Sequence, residues 1–201
     1  MKTHYMNMTE NKAAYNFELN GESLGLSVSI ADALRSDNWD VVTLQQVSHL
    51  SPDCSTYIPY ITILADFVRL YRPNARIMIH QTWSYEQDSK RLNEELGYRD
   101  QHEMFSDIEK AYKKASEAVS AAGIIPCGKV KMQAIDDGIG QIHRDTFHAD
   151  LCVGIYMLGL TWFKALTGKM AICEFNEFNV DIYKAKLAIA IEAVKKAECF
   201  V

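Results

Sequence analysis

The segment His143-Arg-Asp-Thr-Phe-His148 carries the residue types that acid–base chemistry uses most often. Asp145 and His148 are three apart, so in a turn their side chains can converge. A carboxylate that accepts from one imidazole nitrogen fixes the tautomer and leaves the other nitrogen free as a base. Two plainer readings compete. Asp145 could be a helix N-cap beside a surface histidine. His143, Asp145 and His148 could instead ligate zinc or iron, for which this spacing is weak evidence. Two more polar clusters stand out: Gln45-Gln46, and Gln81-Thr82-Trp83. An amide side chain offers two donors and an acceptor on a short arm, so either glutamine could orient a substrate or merely tie down a loop. Thr82 and Trp83 could line a crevice, although Trp83 suits a core equally well. Ser48 and Cys54 are the nearby hydroxyl and thiol. Each needs a base within hydrogen-bond reach to become a nucleophile, and each also fits an ordinary loop or core position.

These clusters need a scaffold, and the pattern of apolar residues supplies one. Asp40–Leu44, Ala75–His80 and Ile124–Pro126 are short, apolar and β-branched, as strands buried on both faces of a parallel sheet must be. Between and after them, helical spacing of apolar residues runs through 57–70, 104–122, 130–137, 151–166 and 181–198. Strand alternating with helix predicts βαβ units, a parallel sheet and helices on both faces. Ahead of this, 15–28 alternates apolar and polar residues around Asn20-Gly21, the sequence of a β-hairpin. Ser29-Ile-Ala-Asp32 then reads as a capping box opening a short helix. In a parallel sheet the ligand crevice lies beyond the carboxyl ends of the strands. Gln45-Gln46 and Gln81-Thr82-Trp83 fall there, and the 143–148 loop is the segment that could fold over them.

Composition limits the function classes. With 201 residues, 48% of them apolar and 23% charged, the chain suits a single globular domain with a sizeable core. The balance of 21 Lys+Arg against 26 Asp+Glu, with no basic run, gives no footprint for nucleic acid or anionic lipid. No stretch reads as a signal peptide or a membrane span, so the default expectation is cytoplasmic. Five widely spaced cysteines without a CxxC pair read as free thiols in a reducing compartment.

Taken in order, Trp39-Asp-Val-Val-Thr-Leu-Gln-Gln-Val-Ser-His-Leu-Ser51, His80-Gln-Thr-Trp83, His143-Arg-Asp-Thr-Phe-His148 and the helix Gly154–Phe163 resemble a bacterial branch of the SGNH (GDSL-like) hydrolase superfamily. The resemblance runs from about Thr3 to Gly168. It implies a three-layer αβα, flavodoxin-like fold. It also implies hydrolysis of small-molecule or carbohydrate esters by a Ser-His-Asp triad, a reaction that calls for no cofactor and no metal. Asp145 would be the orienting acid and His148 the general base. Gln45 or Gln46 would stand where the superfamily places an oxyanion-hole amide, and Thr82 and Trp83 would line the crevice.

One block of the pattern is absent. No Gly-x-Ser follows a strand-like run in the first forty residues (Gly21-Glu-Ser23 lies in the hairpin turn). By resemblance, the chain lacks roughly the first forty residues of such a domain, a βα unit and its following strand. That strand would be central, so Asp40–Leu44 should be left as an exposed apolar edge. The hairpin at 15–28 could cover the edge, or a second chain could pair with it. A chain without the serine should have little esterase activity. A non-catalytic carbohydrate- or partner-binding protein on the same sheet is the alternative expectation.

Overall fold

The computed structural model describes residues 1–171 and 181–198. Cys173 and Cys199, among the expected thiols, lie outside the described residues. Cys54, Cys127 and Cys152 are free thiols, as read from their spacing.

Helix α1 (Lys2–Thr9) leads into the hairpin β1 (Tyr15–Leu19) and β2 (Glu22–Val28), followed by α2 (Ile30–Arg35). Asn20 and Gly21 both take positive φ, as the tight turns of right-twisted hairpins require. The capping box at α2 is complete: Asp32 N–H donates to Ser29 Oγ, and Ser29 N–H donates to Asp32 Oδ2. The central sheet is β3 (Val41–Leu44), β4 (Arg76–His80) and β5 (Gly123–Ile125), all parallel and in the order β3-β4-β5. Between them run α3 (Tyr60–Tyr71) and α4 (Gln101–Ala118), and after them α5 (Cys127–Asp136), α6 (Val153–Thr167) and α7 (Asp181–Lys196).

The layers follow from the two-residue period of a strand. Ile77 and Ile79 of β4, Ile124 of β5, and Val42 and Leu44 of β3 point into one core with α2, α3 and α4. Met78, Ile125 and Val41 point the other way, toward Leu158, Trp162 and Ala165 of α6. A third apolar cluster joins α5, α6 and α7. The result is helices, sheet and helices: the three-layer αβα arrangement expected from the sequence.

Helix α5 is seated unusually close to the end of β4. A Cβ on Gly128 would run into the Thr82 carbonyl oxygen and the Phe105 ring, so only glycine fits. Gln81 holds the same junction, its N–H donating to Ile125 O and its Oε1 accepting from Lys129 N–H.

At the other side of the sheet, β3 has β4 as its ladder partner and no second one among the described residues. The hairpin forms its own two-stranded sheet and makes no ladder with β3. What flanks the free edge is a slot of about 450 Å³, lined by Met1, His4, Tyr15, Ile30, Leu34 and Leu64 and by Val42–Gln45 themselves. The expected apolar edge is therefore present, and it faces a cavity. None of the helices among the described residues is long and apolar enough to cross a membrane.

Candidate active site

The loop between α5 and α6 presents Asp145 and His148 together. His148 Nδ1 lies 2.8 Å from Asp145 Oδ2 and 3.0 Å from Oδ1, and the His148 backbone N–H also donates to Oδ1. Three hydrogen-bonding contacts on one carboxylate, the imidazole's first among them, hold Asp145 down to about 2. The contact at Nδ1 leaves Nε2 without a hydrogen bond to any described residue. Side chains of both residues are about half exposed, 51% for His148 and 44% for Asp145, so the imidazole is open to solvent.

The backbone is bent to achieve this. Thr146 sits at φ +72°, a left-handed conformation that a β-branched residue adopts only under constraint. The constraint is a set of tethers to the chain that follows β4. Glu86 N–H donates to Thr146 O at 2.7 Å, and Trp83 Nε1–H donates to Phe147 O at 2.7 Å. At the start of the loop, His143 Nε2 lies 3.0 Å from Ser84 O. Phe147 packs beside His148, ring centroids 3.9 Å apart, and also against Tyr85; the Arg91 guanidinium lies 4.1 Å from its centroid.

The two histidines of the loop thus differ sharply. His143 is buried and lowered to about 4, by burial first and then by the charge of Lys131. Its ring is spent on the Ser84 carbonyl. Among the described residues no group of three His, Cys, Asp or Glu is placed to hold a metal ion.

The glutamine pair separates as well. Gln46 is buried, and both ends of its amide are used: Nε2–H donates to Thr56 O and Oγ1, and Oε1 accepts from Val47 N–H and the Met1 ammonium. It clamps the loop after β3. Gln45 is exposed at the mouth of the slot. Thr82 is buried and accepts from Tyr112 Oη, and Trp83 is half-buried under the loop. Only Trp83 of the two touches the loop that carries the dyad, through Phe147 O. Ser48 Oγ pairs with Tyr85 Oη at 3.0 Å, and Cys54 packs at the margin of the main core. Neither hydrogen-bonds to His148.

Several contributors escaped the sequence reading: Tyr85, Arg91 and above all Lys131. Lys131 lies one helical turn after Cys127, on the apolar face of α5, and a lysine at that register was the available signal.

Two solved structures share this architecture. The crystal structure of a DUF4886 family protein from Bacteroides uniformis ATCC 8492 superposes with a TM-score of 0.81 at 29% identity, covering 97% of this chain and 79% of that one. A protein from Slackia heliotrinireducens, provisionally described as an SGNH hydrolase, superposes with a TM-score of 0.52 at 20% identity, covering 65% of this chain and 67% of that one. The second likeness is one of fold. No curated protein matches the sequence. The family model for DUF4886, a domain of unknown function, matches residues 1–197, and the chain belongs to that family.

Proposed function

We propose that the protein is an ester hydrolase of the SGNH type, acting on small-molecule or carbohydrate esters. The Asp145–His148 pair, placed beside the carboxyl end of a parallel sheet between helical layers, carries this reading. His148 Nε2 takes the proton of a serine hydroxyl as it attacks the ester carbonyl and later returns it to the leaving alcohol. Asp145 keeps Nδ1 protonated and stabilises the imidazolium. Gln45, exposed after β3, is assigned the amide that donates toward the oxyanion, Gln46 clamps the loop that carries it, and Trp83 tethers the dyad's turn from the segment after β4.

On this reading the serine would lie on a strand docked in the slot beside β3. A parallel strand docked on that free edge would end beside Gln45, at the same end of the sheet as the dyad. The test is hydrolysis of p-nitrophenyl acetate and butyrate by this chain, and by a chain extended at its N-terminus with a strand that carries a Gly-x-Ser block. The extended chain should be at least about 10²-fold more active, and His148→Ala should abolish the gain. Activity of the shorter chain that survives His148→Ala would overturn the triad. Sedimentation separates the occupants of the slot, because pairing of two chains along β3 gives a dimer and an upstream strand gives a monomer.

A second reading is a non-catalytic carbohydrate- or partner-binding protein. It is favoured by one observation: no hydroxyl or thiol among the described residues hydrogen-bonds to His148. A sugar ester that binds without turnover, even with the extended chain, would support it.

A further inference from the structure

One buried group near the dyad makes no hydrogen bond or ion pair with either of its members. Lys131 is 1% exposed, and its Nζ has no hydrogen-bond partner among the described residues. The amine lies 4.7 Å from the centroid of the Trp83 ring. Trp83 is the residue whose indole N–H holds Phe147 O, inside the turn that joins Asp145 to His148. Three ionisable groups bear on the amine from the elements packed around it. They are His143 of the loop, Glu86 of the segment after β4, and Asp150 of the turn before α6. The two carboxylates favour its charge, but burial dominates and brings it down to about 7.

An ammonium removed from water without a hydrogen bond is a costly occupant of a helix face that an aliphatic side chain of similar length could fill. Its charge has two uses for the loop. It is attracted to the π face of Trp83 and so fixes the plane from which the indole N–H reaches Phe147 O. Second to burial, it also opposes a second proton on His143. The neutral ring then has one N–H, and the Ser84 carbonyl selects Nε2 as the nitrogen that carries it. Both effects tie the Asp145–His148 turn to residues 83 and 84.

We propose that Lys131 is a positioning residue for the Asp145–His148 pair, acting through Trp83 and His143. The proposal deepens the hydrolytic reading, since it takes the pair as the functional one, but its test does not depend on turnover. Hydrogen exchange of two protons reports the loop directly: the Trp83 indole N–H and the His148 backbone N–H. In Lys131→Met both should exchange roughly tenfold faster, the size of a desolvated cation–π contact, while core amides of α3 and α4 stay as protected as in the parent. Lys131→Arg, which keeps the charge, should stay close to the parent. In the unmodified protein, protection of the same two protons, corrected for intrinsic exchange, should fall as pH rises through about 7. This measurement stands even if the variants fail to fold. Unchanged exchange of both protons in Lys131→Met, or flat protection across neutral pH, would overturn the proposal. Loss of protection spread over α3 and α4 would also overturn it, by making Lys131 a general structural residue. An extended chain with no esterase activity, alongside the expected exchange, would sink the hydrolytic reading alone.

Discussion

His143 and His148 belong to one short loop and live in opposite environments. His148 is half exposed and held by a carboxylate; His143 is buried and held by a backbone carbonyl. The exposed ring stays in water with a charged partner that can steady a proton on it. The buried ring is kept neutral by desolvation and by the amine nearby. On the proposed function, chemistry and anchorage are thereby divided between two copies of the same side chain, five residues apart. A loop that presents one imidazole to solvent is anchored by another that stays buried.

The contrast can be broken by exchanging deletions. His148→Ala should cost about 10³-fold or more in ester hydrolysis by the extended chain, while moving stability by less than about 0.5 kcal/mol. His143→Ala should do the reverse. It orphans the Ser84 carbonyl, leaves a small cavity and costs about 1–3 kcal/mol in denaturant unfolding, with a smaller loss of rate. Equal effects of the two on stability would erase the distinction.

The pH dependence of stability sharpens it further. His143 has a folded value below its unfolded one, so between about pH 4 and 6.5 the unfolded chain binds more protons and stability rises with pH. The rise attributable to this ring is on the order of 3 kcal/mol. His143→Gln should flatten that window in thermal unfolding. Asp145 acts lower. Its folded value is depressed, so its contribution is complete above about pH 4 and is lost as pH falls toward about 2. Asp145→Asn should flatten the lower window and leave the upper one intact. The smallest expected effect lies between the two histidines. Thr146→Asn, at φ +72°, should stabilise by about 1 kcal/mol, because asparagine tolerates the left-handed region better. A destabilised Thr146→Asn would mean that the threonine side chain makes up for its strained backbone.

Most of the framework was legible because it is encoded locally. The three apolar runs became β3, β4 and β5, Asn20-Gly21 became the hairpin turn, and Ser29 with Asp32 became the capping box. The spacing of Asp145 and His148 sufficed to predict that they could meet. Helix α1 was not foreseen, since it has no side-chain cap at its start and no apolar stripe. Its place is set instead by contacts distant in sequence: the Met1 ammonium on Gln46, and Tyr5 against Tyr60. The roles of the two glutamines were equally unreadable. Adjacent residues after a strand point to opposite sides, and only the position of Thr56 decides which amide is consumed. Lys131 was missed for a related reason: spacing places it on a face, but only tertiary packing buries that face beneath Trp83.

The close seating of α5 on the end of β4 also constrains redesign. By helix propensity, alanine at position 128 should gain about 1 kcal/mol over glycine, and a stabilisation survey based on propensity would choose it early. Here the added methyl would collide with the Thr82 carbonyl, one residue before the tryptophan that tethers the loop. Moving α5 outward to relieve the collision would carry Lys131, on the same helix, away from the Trp83 ring. Position 128 therefore works as a spacer gauge. The distance between helix and strand is set by a side chain's absence, and a change that looks like routine thermostabilisation would be felt at the dyad.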